Sequence, residues 1–244
     1  MNKMQKAKLR ITVLCLLGLL VVLLFVGVML WRNASIQQTQ QPSTPPQSTG
    51  ATTISFPYAI PGTDLVIQTV RSYDGIYIED GSNQKVTGIS VMVLVNNGTA
   101  GIEFADITLR QGDVELRFQA SSIPAGATLV VQEASAKKYT TGEYTVASVN
   151  VGTATILEMS DGLVKVEEVE NGTLLITNLT DEKIPCVRVY YKFAYEKGKV
   201  YVGGITYSAE ITDLEPGQSK KVTANHFAAG SSEVVMVRTY ETAD

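Results

Sequence analysis

Histidine, cysteine and tryptophan are nearly missing from this 244-residue chain, which holds one, two and one of them. A Ser-His-Asp or Cys-His site would have to use His226, in Ala224-Asn225-His226-Phe227 at the end of an expected strand. A Gly-x-Ser-x-Gly elbow is absent. One His and two Cys leave too few ligands for a zinc site. Positive charge is also short where it would matter. The five basic residues Lys3, Lys6, Lys8, Arg10 and Arg32 precede position 33 with no acid among them. That leaves 15 basic against 24 acidic groups in 33–244, a net of −9, so the bulk of the chain lacks the basic footprint of a nucleic-acid binder. The low charged fraction and high apolar fraction exclude a wholly disordered chain.

One long stretch lacks charge altogether. Ile11 to Trp31 is 21 residues with Thr12 the only polar one, and at 1.5 Å per residue it covers about 30 Å, the hydrocarbon thickness of a bilayer. Four basic residues precede it, so the positive-inside rule puts 1–10 in the cytoplasm, 11–31 across the lipid and 33–244 outside. A cleaved secretory signal would have a shorter apolar region ending at small residues. Here Trp31-Arg32-Asn33-Ala34 follows, which favours an uncleaved anchor. Cys15 follows Leu14, where lipid attachment wants a small residue, and reads as an apolar filler. Residues 32–53, rich in Gln, Ser, Thr and Pro, are expected to form a disordered tether.

Beyond it, short β-branched and aromatic runs are separated by Gly, Asn, Asp or Pro. Strands are expected at Asp64–Arg71, Gly75–Glu79, Lys85–Val95, Ile102–Leu109, Val114–Gln119, Ala127–Gln132 and Tyr144–Val149. A second set is expected at Thr153–Met159, Leu163–Val169, Thr173–Thr177, Cys186–Tyr195, Lys199–Ala209, Ser219–Ala224 and Glu233–Tyr240. No sustained 3.6-residue period appears, so the fold class is all-β. The two sets resemble each other. Each has a strand ending in Asn (Asn96, Asn178) and a later Pro/Gly corner (Ile123-Pro124-Ala125-Gly126; Leu214-Glu215-Pro216-Gly217) that opens a further strand. The extra length of the second set falls at a hairpin around 196–204, as a duplication with a loop insertion predicts. The expectation is two tandem immunoglobulin-like β-sandwiches, 54–151 and 152–244, after the anchor and tether.

The second unit, through NGTLLITNLTDEKIPCVRVYYKF, GGITY, DLEPGQSKKVTANHF and SSEVVMVRTY, resembles small Ig-like modules of the FxLYD type on membrane-anchored or lipoprotein-type surface proteins of Gram-positive bacteria. Val189-Tyr190-Tyr191-Lys192-Phe193 stands where the type motif has Leu-Tyr-Asp. The resemblance covers about 160–244, more weakly 64–150. It implies an extracytoplasmic adaptor or binding module and carries no catalytic residues; no metal or other cofactor is expected.

Cys186 cannot reach Cys15 in the membrane, since a disulfide needs Cα atoms within about 7 Å. It is either a small core residue or an intermolecular thiol. Acidic pairs at Glu79-Asp80 and Glu167-Glu168, the latter followed by Glu170, read as solvated strand and turn acids; a calcium site would need six or more oxygens. Asn33, Asn97, Asn171 and Asn178 begin Asn-x-Ser/Thr triplets, and Asn97-Gly98 and Asn171-Gly172 are also strong turn dipeptides. The candidate interaction patch is Arg188, Tyr190, Lys192, Tyr201, Gly203, Gly204 and Tyr207. Period two places Val187, Val189, Tyr191, Phe193 and Tyr195 on the core face and Arg188, Tyr190 and Lys192 on the other. Arg and Tyr are favoured at interface hot spots, and paired glycines permit a bulge or close backbone approach. The expected partners are the lipid bilayer through 11–31 and another envelope protein. A cell-wall glycan or small ligand stacking on Tyr is the alternative.

Overall fold

The computed structural model describes residues 52–152 and 162–241. The expected span 11–31, nearly all of the tether and the expected strand Thr153–Met159 lie outside the described residues. Among the described residues no helix is long and apolar enough to cross a membrane.

The described elements are all strands. The first half carries β1 (Thr53–Ile54), β2 (Tyr58–Ala59), β3 (Leu65–Ile76), β4 (Lys85–Asn96), β5 (Ile102–Gln111), β6 (Val114–Ile123), β7 (Thr128–Gln132) and β8 (Tyr144–Gly152). The second carries β9 (Val164–Glu170), β10 (Thr173–Asn178), β11 (Ile184–Glu196), β12 (Val200–Leu214), β13 (Ser219–Thr223) and β14 (Ser232–Tyr240). Alternation explains the faces. On β6, Leu116, Phe118 and Ala120 point inward while Arg117 and Gln119 face water, and Ala105, Ile107 and Leu109 of β5 meet them from the adjacent strand. The expected strand Gly75–Glu79 is not separate. Gly75 and Ile76 continue β3 past a register shift after Tyr73.

The strands form sandwich-like layers. Sheet order β1-β8-β5-β6 packs over β7-β4-β3-β2 in the first half, and β13-β10-β9 over β14-β11-β12 in the second. The halves share a sheet. Val200, Tyr201 and Val202 of β12 pair in parallel with Thr128, Leu129 and Val130 of β7, making one seven-stranded sheet, β14-β11-β12-β7-β4-β3-β2. All other ladders among the described residues are antiparallel. Interior to this sheet, β7 is buried from Leu129 through Gln132. Such a strand needs apolar side chains on both faces, and Leu-Val-Val supplies them.

The internal similarity has a structural basis in two buried asparagines. Asn96 Nδ2 donates to the carbonyls of Ala100 (2.9 Å), Ile123 (3.4 Å) and Pro124 (3.1 Å), while its Oδ1 accepts from Gly98 N (3.0 Å). Asn178 Nδ2 donates to Glu182 (2.8 Å), Leu214 (3.1 Å) and Glu215 (3.2 Å), and its Oδ1 accepts from Thr180 N (2.8 Å). Each Asn thus ties the end of one strand to the Pro/Gly corner of another. The carbonyls at the strand end and corner converge on one point, where a short amide supplies a donor to all of them. Asn178 is therefore buried and fully used, whereas Asn97 and Asn171 are exposed in turns.

Candidate functional site

The β11–β12 hairpin is the longest among the described residues, and its tip reaches the first half. Most of the candidate patch lies there. Tyr201 is buried in the first half's core beside Ala194 and Val235, with its hydroxyl donating to Glu233 Oε2 (3.1 Å). On the opposite face of the same sheet, Val202 joins Tyr73, Tyr77, Ile78, Ile89, Val91 and Val130, flanked by Phe193, Ile205 and Tyr207. Burying apolar area on both faces is the main force holding this joint.

Arg188, Tyr190 and Lys192 do not share one displayed face. Register shifts after Tyr190 against β14 and after Tyr191 against β12 reset the alternation. Tyr191 and Lys192 are consecutive and both 1 % exposed, while Tyr195, expected in the core, is 74 % exposed.

The buried end of Lys192 donates from Nζ to the carbonyls of Gly204 (2.7 Å) and Ile205 (2.9 Å). The amides of the same two residues donate to Glu79, at 2.8 Å (Gly204 to Oε1) and 3.2 Å (Ile205 to Oε2). Glu79 Oε1 also accepts from Gln132 N on β7 (2.9 Å). Gln132 in turn accepts from Ile78 N and donates to Ile76 O, both at 2.7 Å, which fixes the loop that carries Glu79. Glu79 is thus no solvated turn acid. It bridges β7 of one half and β12 of the other. Burial raises its carboxyl above the usual range, opposed by the amides of Gly204 and Gln132 and by Lys192. Burial lowers the Lys192 ammonium to about 7, opposed by Glu79.

The two glycines let the strands meet. Gly203 has φ +80, and a β-carbon on Gly204 would overlap the Gln119 carbonyl oxygen of β6. Tyr207 closes the rim. Its ring stacks on His226 (centroids 4.6 Å apart, 22°), its hydroxyl donates to Ile78 O (3.4 Å), and burial pushes it up to about 12. His226 Nδ1 lies 2.9 Å from Asn83 Nδ2 of the first half. An amide and an aromatic ring as its neighbours suit a structural contact between halves.

Arg188 and Tyr190 lie on the outer face of the second half, half-buried. Arg188 donates from Nε (2.8 Å) and Nη2 (2.5 Å) to Glu210 Oε2, and its guanidinium lies 5.5 Å from the Tyr240 ring centroid. The Tyr190 and Tyr240 hydroxyls are 2.9 Å apart, and that hydrogen bond is the main reason Tyr240 is pushed up to about 12. Arg238 stands directly across from Arg188 on β14 and donates from Nε to Met236 Sδ (3.4 Å). Sequence reasoning takes Glu79 for a solvated turn acid and misses Glu210, Tyr240 and Arg238, which join the site only through cross-strand pairing.

Cys186 is buried on β11. No group of three or more His, Cys, Asp or Glu gathers among the described residues. Compared with known proteins, the chain matches no family model and no curated sequence.

Proposed function

We propose that this chain is a non-enzymatic, single-span extracytoplasmic binding or adaptor protein of the cell envelope, with tandem Ig-like sandwiches that engage another protein. Residues 11–31 anchor it with the N-terminus in the cytoplasm, and the tether gives the β region reach. The observation that carries the binding role is the outer cluster of Arg188, Tyr190, Arg238 and Tyr240, with Glu210 beside it. Paired arginines beside two tyrosines, one of them under the Arg188 guanidinium, are the residue types that protein-binding hot spots favour.

In-cell crosslinking of the tagged full-length protein, followed by mass spectrometry, tests this. A single stoichiometric protein partner is expected, and its capture should fall when Arg188 and Tyr190 are both replaced by Ala. The double variant should lose about 2–4 kcal/mol, nearly all of it from the half-buried Tyr190 ring packed against the core, since the Arg188–Glu210 pair is partly solvated; thermal unfolding checks that it stays folded. Equal capture by wild type and variant would remove this face from the reading. The alternative, a wall-glycan or small-ligand receptor, draws on the adjoining Tyr190 and Tyr240 hydroxyls. It predicts tyrosine fluorescence changes on titration with wall fragments and no protein partner.

A further inference from the structure

The groups that meet between the halves are arranged for more than apolar packing. Two successive residues of β12, Gly204 and Ile205, have both amides on Glu79 and both carbonyls on Lys192. In a regular strand successive amides point to opposite edges. The left-handed backbone of Gly203 supplies the irregularity that lets one carboxylate collect both. Glu79 comes from the first half, so a shift of β12 along β7 would break both of its bonds to β12 together, while Lys192, on β11 of the same hairpin, holds the bulge from the second half's side. We propose that Glu79 and Lys192 act as one unit, a conformational lock that grips the Gly203–Ile205 bulge from both sides and holds the two halves in a single register.

The sense of the pH effect follows from burial. Undocked, Lys192 meets water and keeps its proton up to the ordinary lysine range; docked, it holds the proton less tightly. Proton release on raising the pH therefore favours the docked form. Glu79 works in the opposite sense, since docking makes its carboxyl hold a proton more tightly. The other groups near the pair are Tyr77, Asp80 and Glu133 of the first half and Tyr207 and Glu233 of the second. Tyr77 and Tyr207 are both pushed up to about 12 and stay neutral across the window. The Asp80 carboxyl is held below its usual range by Ser82 and stays charged. Glu233 lies across from Lys192 on β14, with its Oε2 taken by Gly198 N and the Tyr201 hydroxyl.

Hydrogen exchange of the full-length protein in detergent micelles, read by mass spectrometry and corrected for intrinsic rates, tests the lock. The reporting peptides span 128–134 and 200–207, with 173–178 of β10 as the internal control. Glu79→Gln should lower protection of both reporting peptides at least about tenfold near neutral pH, because it sets an amide donor against the backbone N–H groups of Gln132, Gly204 and Ile205 and removes the anion beside Lys192. Adding Lys192→Met to that variant should cost less protection than Lys192→Met costs the wild type, because the charge coupling between the two side chains is already gone. Unchanged protection in Glu79→Gln, or losses from the two substitutions that simply add in the double variant, overturns the proposal. Should Glu79→Gln fail to fold, Lys192→Met alone decides. Wild-type protection of 200–207 should rise between about pH 7 and about pH 10 and be flat in the variant; parallel pH profiles overturn the lock.

Discussion

At the scale of single residues, the joint depends on one position where any side chain fails. Gly204 is buried with the Gln119 backbone against it, so Gly204→Ala forces β12 away from β6. The expected cost is at least about 3 kcal/mol, at the upper end of overpacking effects. Gly198 is the control. It has φ +77 at the exposed hairpin tip with open space around it, so Gly198→Ala carries only backbone strain of about 1–2 kcal/mol. Urea denaturation of both variants checks the contrast; equal losses would mean the close approach is not what constrains Gly204. Asn178 makes a second contrast. Asn178→Asp keeps the shape but turns a donor to three carbonyls into an acceptor facing them, and should cost about 3 kcal/mol or more. Asn97→Asp, in an exposed turn, should leave the midpoint nearly unchanged.

At the scale of elements, the added length of the β11–β12 hairpin changes what the second half can touch. The equivalent hairpin in the first half, β5–β6, turns over Gly112 and Asp113 and lacks such an arm. The extended arm puts Tyr201 in the neighbour's core, so Tyr201→Ala should destabilise by about 3–5 kcal/mol. Its signature is exchange in β3, β4 and β7 of the first half rising as much as in β11; a loss confined to β11, β12 and β14 would contradict the arm's role. This is also where reading the sequence reached its limit. The long strands, the Asn-ended strands and the Pro/Gly corners were legible because alternation and turn chemistry are local. β1 and β2 were not, since two residues carry no period. The stretch from Arg188 to Tyr207 stood out for its aromatics and glycines. Its parity did not, because two bulges reset the faces and nothing local marks them. Lys192 thus read as displayed and is buried, and Glu79 read as a turn acid although it bridges the halves.

At the scale of the whole molecule, buried ionisable groups make stability depend on pH in a way composition does not suggest. Lys192 titrates near 10.4 in an unfolded chain and at about 7 when folded. Between those values the unfolded state binds more protons, so stability rises with pH across this window and the contribution levels off below it. The slope from one group cannot exceed about 1.4 kcal/mol per pH unit. Above about pH 10 the sign reverses. Burial pushes Tyr77, Tyr191 and Tyr207 up to about 12, so the unfolded tyrosines ionise first and the folded state, which keeps their protons, loses stability as pH climbs toward 12. Unfolding free energy should therefore peak at about pH 9–10 rather than near neutrality. Urea denaturation of the full-length protein at a series of pH values checks this. Lys192→Met should remove the rising limb and leave the alkaline fall intact, because the two limbs come from different groups. A rising limb that survives in Lys192→Met would assign it to another residue and leave the buried lysine without effect on stability.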